Sequence, residues 1–252
     1  MKNKTKTNTY KYAPYSHSKM TTYEFCPRKF KYQYIDKIPI ERKPQIHFDR
    51  GTLFHLLLEH DGDLKAVKET KDWKVIKSNN LLDKSQIKEI YDIYKTFITT
   101  KPGKDIVSKD VLLKEFPLGL NENLELVPYD SNDVVLRGFI DAAYTFGKDD
   151  VCMLVDWKSG KYKKEEQQSY AQLLWYSLGL FSKNPYLKKI LLVFAYVEHN
   201  KINTKVVQRK DLHKYKKALF DKIQKIEQAT EFPKEITGLC SYCDFVEVCS
   251  ED

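Results

Sequence analysis

"GFIDAAYTFGKDDVCMLVDWKSG", residues 138–160, decides how the chain reads. Two apolar runs rich in Val, Leu and Phe flank the short connection GKDD, so they read as strands folded back antiparallel. Each run is interrupted by a carboxylate, Asp141 in the first and Asp156 in the second. Residues two apart in a strand share a face, so Asp156 and Lys158 point one way while Val155 and Trp157 point the other. Taken alone, a carboxylate beside an ammonium reads as a structural ion pair, although a buried pair is weak evidence of stability because desolvation offsets the attraction. The neighbouring strand shifts the balance. With Asp141 and Asp156 on one face, two like charges converge and need a cation between them. A hard divalent metal is the natural occupant of such an oxygen-rich site.

Working outward, "VLLKEFPLGL" (111–120) reads as a further strand, "KKILLVFAYVEH" (188–199) as another, and "NTKVVQR" (203–209) as its short partner. "RGTLFHLLLEH" (50–60), the stretch through "LLDKSQIKEIYDIYKTFIT" (81–99), "EEQQSYAQLLWYSLGLF" (165–181) and "DLHKYKKALFDKIQKIEQAT" (211–230) carry helical spacing. "SHSKMTTYEFCPRKFKYQYIDKI" (16–38) reads as a helical pair or bent helix that Pro27 interrupts. The expected fold class is α/β, a central mixed sheet flanked by helices, with a helical N-terminal extension and a C-terminal cysteine segment. Residues 1–15 are expected to be a flexible basic tail and 16–252 a single domain.

The helices add candidates. His55 lies among leucines on a helix where Gly51 permits close backbone approach, and such a histidine is more often a packed core residue than a ligand. Gln172 and Tyr176, four apart, project from one helical face. Glu115, in the strand 111–120, and Glu59, after the helix histidine, are carboxylates whose roles stay open.

The 252 residues are 42% hydrophobic and 31% charged, the balance of a globular chain rather than a disordered one. No apolar run approaches the roughly 18 to 20 residues needed to cross a bilayer, and the first fifteen residues lack a signal-peptide apolar stretch, so a cytoplasmic location and no membrane partner are expected. The net charge is +8, and residues 1–50 account for the whole excess, with 12 Lys/Arg against 4 Asp/Glu. Residues 183–217 are also basic, 10 against 2. Charge of this kind suits a polyanionic partner, or else only solubilises the surface.

Four of the five cysteines, Cys26, Cys240, Cys243 and Cys249, stand where clustered thiols read as metal ligands, holding either Zn2+ or an iron-sulfur cluster; spacing alone does not choose. Cys152, inside a strand, reads as a core thiol.

Taken in order, His55 in a G-x-x-x-H helix, Asp141 in a G-x-x-D strand, Asp156-x-Lys158 and Gln172-x-x-x-Tyr176 resemble the PD-(D/E)XK nuclease superfamily in its RecB-like branch. The segments "SKMTTYEFCPRKFKYQY" and "CSYCDFVEVC" are similar to its iron-sulfur subgroup, found in AddB-type helicase-nucleases and CRISPR-adaptation nucleases. The resemblance runs from about Ser18 to Cys249. It implies a restriction-endonuclease-like core and a Mg2+- or Mn2+-dependent deoxyribonuclease acting on single-stranded DNA or free ends, as an exonuclease in repair, recombination or phage DNA processing. A flap endonuclease and a non-catalytic nucleic-acid-binding module are the alternatives.

By the same resemblance, Asp141, Asp156, His55 and the backbone carbonyl of Trp157 are metal ligands. Lys158 orients or activates the attacking water, and Gln172 and Tyr176 position DNA or the lysine. Cys26, Cys240, Cys243 and Cys249 hold a [4Fe-4S] cluster, with structural Zn2+ as the alternative, joining segments 16–50 and 233–252. Arg28, Lys29, Lys31, Tyr32 and Tyr34 are expected to contact nucleic acid, and a helicase or recombination protein is the implied partner class.

Overall fold

The strands form where the apolar runs lie. In the computed structural model, which describes residues 10–40, 43–147 and 150–251, β1 spans Val111–Leu120, β2 Leu126–Val127, β3 Leu136–Thr145, β4 Val151–Lys158, β5 Lys189–Tyr196 and β6 Lys201–Gln208. They build one sheet in the order β2-β1-β3-β4-β5-β6. β3 and β4 pair antiparallel, β4 and β5 parallel, β5 and β6 antiparallel, so the sheet is mixed as expected. Lys148 and Asp149, the middle of the expected tight connection, and residues 1–9 of the expected tail lie outside the described residues. A parallel pair cannot be joined by a hairpin. The crossover from β4 to β5 carries the helix Ala171–Lys183.

In chain order the helices are α1 His17–Phe25, α2 Pro27–Phe30, α3 Ile46–Glu59, α4 Leu64–Glu69, α5 Lys71–Asn79, α6 Lys84–Thr99, α7 Gly103–Val107, α8 Ala171–Lys183, α9 Leu212–Glu227 and α10 Val246–Glu251. α3 begins at Ile46, ahead of the helical spacing that the sequence shows from Arg50, and α4, α5 and α7 are too short for periodicity to announce them.

The chain divides into two compact units. One comprises Pro44–Pro117 and Phe139–Asp211. Its core joins Leu53, Leu57 and Ile90 from α3 and α6 to Val155, Trp157 and Val193 from β4 and β5. The Phe97 and Trp157 rings meet edge to face at 6.0 Å, and truncating so buried a ring as Phe97 to Ala costs about 3–5 kcal/mol. α6 starts firmly because Asp83 and Gln86 form a reciprocal capping box. The odd-numbered residues of β4 face this core, which turns Asp156 and Lys158 toward the opposite face.

The other unit comprises Met1–Lys43, Leu118–Gly138 and Leu212–Asp252. Pro27 is the first residue of α2, whose N-cap is Cys26 with its sulfur accepting from Lys29 N, so the expected break at proline is a restart. Phe30 stacks on Phe232 at 6.1 Å. Glu227 accepts from Tyr15 Oη at 2.6 Å and Tyr12 N at 2.9 Å, tying the ends of the unit together.

Candidate metal centre

Gly51 and His55 lie one turn apart on α3, so they share a face. A Cβ on Gly51 would sit 2.9 Å from Ser159 Oγ. Glycine therefore lets α3 approach the chain just beyond β4. His55 Nε2 lies 3.2 Å from the Trp157 carbonyl oxygen. A donating Nε2–H leaves the Nδ1 lone pair for another ligand in the neutral ring. Nδ1 is 3.8 Å from both Glu115 Oε1 and Asp141 Oδ2.

The β3–β4 register runs from Thr145↔Cys152 to Ala142↔Val155. Beyond it, the Trp157 N–H donates to Asp141 Oδ2 at 2.8 Å. A carboxylate takes the donor that a strand carbonyl would otherwise satisfy, so the amide stays paired while the ladder opens. Continuing the register sets Asp141 opposite Asp156, on one face. Asp156 is 4% exposed, and its Oδ2 lies 2.6 Å from Lys158 Nζ, close enough for an ion pair but off hydrogen-bonding alignment.

Glu115 enters from β1 with φ +41°. This left-handed backbone is unusual for a residue with a Cβ and costs strain within a strand. Lys114 anchors the preceding residue, donating to the Glu59 carbonyl oxygen at 3.2 Å and to Asp61 Oδ1 at 2.6 Å. Among the described residues, His55, Glu115 and Asp141 offer ligand atoms that all lie within 4.8 Å of one another. Glu59 stands apart, 3.7 Å from His60 Nε2.

The charges are out of balance with their burial. Burial pushes the Asp141 carboxyl up, and Asp156 opposite adds to it; the His55 ring and the Trp157 N–H offset this only partly, leaving it at about 7. Burial likewise raises Asp156 against the pull of Lys158. For His55, burial opposes the charged ring, but Glu115 and then Asp141 outweigh it and hold the imidazole up at about 9. Gln172 Nε2 donates to Tyr176 Oη at 3.4 Å. Burial lifts that phenol to about 12, and it is hydrogen-bonded to the Phe139 backbone.

The pattern of the PD-(D/E)XK nuclease superfamily matches residues 14–250. The chain belongs to this superfamily. No curated protein matches it. The solved structure titled "Crystal structure of SSO0001" is similar at 14% identity, over 92% of this chain and 84% of that one, with a TM-score of 0.39.

As a PD-(D/E)XK protein, the chain has a restriction-endonuclease-like fold, and membership implies metal-dependent nuclease chemistry on DNA. Of the residues expected at the site, His55 and Asp141 are brought together with Glu115, whose role the sequence leaves open, while Asp156 lies outside that group of three and is paired with Lys158. A strand pattern gives no sign of a positive φ, so little in the sequence could have singled it out.

The four outlying cysteines of this PD-(D/E)XK chain line one cavity of about 520 Å³ with Phe25, Tyr32 and Phe245 among its walls. Cys152 is buried in β4, its thiol pushed up to about 12 by desolvation. The basic segment is largely engaged within its own unit. Arg28 Nε donates to the Phe232 carbonyl oxygen, Lys29 pairs with Asp244 at 3.5 Å and Lys31 with Asp36 at 2.7 Å. Tyr34 leans on Phe30 at 5.3 Å. Tyr32 is 4% exposed and packs 5.6 Å from Phe245. Among the described residues no helix is long and apolar enough to cross a membrane.

Proposed function

We propose that the chain is a Mg2+- or Mn2+-dependent deoxyribonuclease of the RecB-like branch, working exonucleolytically on single strands or free DNA ends in repair, recombination or phage DNA processing. One observation carries the reading: Asp156 is buried and Asp141 half-buried opposite it on the neighbouring strand, with Glu115 nearby and Lys158 and His55 as counter-charges. Carboxylates so placed ionise together only with a further cation, and the oxygen-rich donor set fits a hard divalent one. His55 Nδ1, Glu115, Asp141 and Asp156 would hold it, and the Trp157 carbonyl lies within reach of the same ring. Such an ion supplies Lewis-acid activation of water and neutralises charge growing on phosphoryl oxygens. Lys158, paired with Asp156 at 2.6 Å, orients the attacking water. Tyr176 remains a protonated donor at neutral pH, and with Gln172 it positions substrate rather than moving protons.

Digestion of end-labelled DNA tests this. Linear single strands are expected to shorten progressively with Mg2+ or Mn2+, to survive in chelator, and to survive Asp141→Ala, Asp156→Ala or Lys158→Ala. Cutting of closed circles would assign a flap or structure-specific endonuclease instead. Wild-type cutting by Asp156→Ala refutes the site.

The cysteines are proposed to hold a [4Fe-4S] cluster that joins segments 16–50 and 233–252. Support comes from four thiols around one cavity of about 520 Å³. Anaerobically purified protein is expected to be brown with about four irons per chain, and Cys26→Ala, Cys240→Ala, Cys243→Ala or Cys249→Ala to lose both colour and iron while Cys152→Ala keeps them. Colourless protein with one zinc refutes the cluster and keeps the thiol site.

A further inference from the structure

β3 alternates along its length: Leu136, Gly138, Ile140 and Ala142 are buried, while Arg137, Phe139 and Asp141 are more open. Phe139 is 49% exposed although β3 is an interior strand, between β1 and β4. One exposed apolar residue is ordinary by itself; what sets Phe139 apart is where it stands. It lies on the face of Asp141, two residues away, which in a strand is about 6.6 Å. That is close enough for a base beside the scissile phosphate to reach the ring. The backbone at Phe139 is held by the Tyr176 phenol, and Tyr176 by Gln172, so the ring stands on a fixed segment rather than a loose one. The β3–β4 ladder is interrupted at this end by the Asp141 carboxylate, and Lys158 Nζ stands on the same sheet face, 5.3 Å from the Phe194 ring.

We propose that Phe139 is the stacking platform for an unpaired nucleobase next to the phosphate cut at the Asp141–Asp156 site, and so sets the preference for single-stranded over duplex DNA. The inference rests on the nuclease reading above. In an intact duplex each base is already stacked and paired, and its flat face is closed to a protein ring. In a single strand the face is open, and stacking needs a ring without demanding a sequence.

The test compares wild type with Phe139→Leu, Phe139→Ala and Phe139→Trp in the full chain. Single-stranded oligonucleotides with one 2-aminopurine at successive positions from the labelled end are bound in Ca2+ and cut in Mg2+. Wild type is expected to quench one position strongly. Phe139→Leu, which keeps apolar bulk without a π-face, is expected to lose that quenching and to raise Kd and KM for single strands about five- to hundredfold, the range of one lost base stack. kcat is expected to change less, and blunt-duplex cutting to stay as in wild type. Phe139→Trp is expected to restore the quenching. Equal single-strand affinity in wild type and Phe139→Leu, or no position-specific quenching in wild type, overturns the proposal even if Asp156→Ala is dead. An Asp156→Ala enzyme that cuts normally overturns the nuclease reading instead.

Discussion

Glu115 combines a backbone that resists its side chain with a carboxylate placed against His55. Relief of left-handed strain favours glycine by about 1–2 kcal/mol, less the 0.5–1 kcal/mol that glycine's extra freedom costs. Glu115→Gly is therefore expected to raise Tm by about 1–4 °C in chelator while lowering Mn2+ affinity at least about tenfold, since one charged oxygen donor is gone. Calorimetric titration with Mn2+ and a melting curve decide it; a lower Tm with unchanged affinity would make Glu115 a structural residue. The titrating groups give a second expectation. The unfolded chain releases the Asp141 proton near 3.8 and the folded chain near 7, so in that interval the folded state holds more protons and stability falls as pH rises. His55, raised from 6.5 to about 9, contributes stability that is complete below 6.5 and lost as pH climbs through 9. Both slopes have one sign. The chelated protein is expected to melt lower at each step from about pH 5 to about pH 9, whereas protection by Mn2+ should grow over the acid half of that range, its affinity rising about tenfold per unit for one displaced proton. A Tm that climbs across the series in chelator would contradict the arrangement of these groups.

At the scale of elements, α3 and β4 are set by a contact that only a missing side chain allows. Gly51→Ala adds helix propensity worth about 1 kcal/mol, but its Cβ meets Ser159 Oγ at 2.9 Å and must turn aside that hydroxyl, next to Lys158. The variant is expected to keep or slightly raise Tm while losing about tenfold in kcat, misplacement by a fraction of an ångström being enough. Ser159→Gly added to it should restore turnover; a double variant as slow as the single one would place the damage elsewhere. Much of this geometry is legible in the sequence. β1 occupies the ten residues of "VLLKEFPLGL", and β3 and β4 follow their apolar runs, because continuous burial leaves a continuous pattern. Gly51 and His55, Asp141, and Asp156 with Lys158 stand out in the sequence through their ordered resemblance to the superfamily's motifs. What is not readable depends on local backbone or on distant partners. The two-residue β2 is too short to carry a period, the short helices owe their form to caps such as Asp63 and Thr70, and the burial of Tyr32 follows from Phe245, more than 200 residues away.

Over the whole molecule, the excess positive charge of residues 1–50 and 183–217 predicts strong salt dependence. Single-strand affinity is expected to fall with a log–log slope of about −0.7 for each phosphate neutralised. Fluorescence anisotropy at several salt concentrations measures it, and a flat response would mean that these lysines serve solubility alone. The unit that holds the cysteines is assembled from three separated stretches, whereas the unit that holds His55, Asp141 and Asp156 ends at Asp211. Translation runs through these in order. At about 5–20 residues per second, roughly 10–40 s pass between the appearance of Cys26 and that of Cys240. During that time all residues of the unit that carries Asp141 and Asp156 are made, while Cys26 is still a lone thiol on a nascent chain. On the cluster reading proposed above, Cys240, Cys243 and Cys249 are the last ligands to leave the ribosome, so the centre closes only at the end of synthesis and the first thiol stays open to oxidation until then.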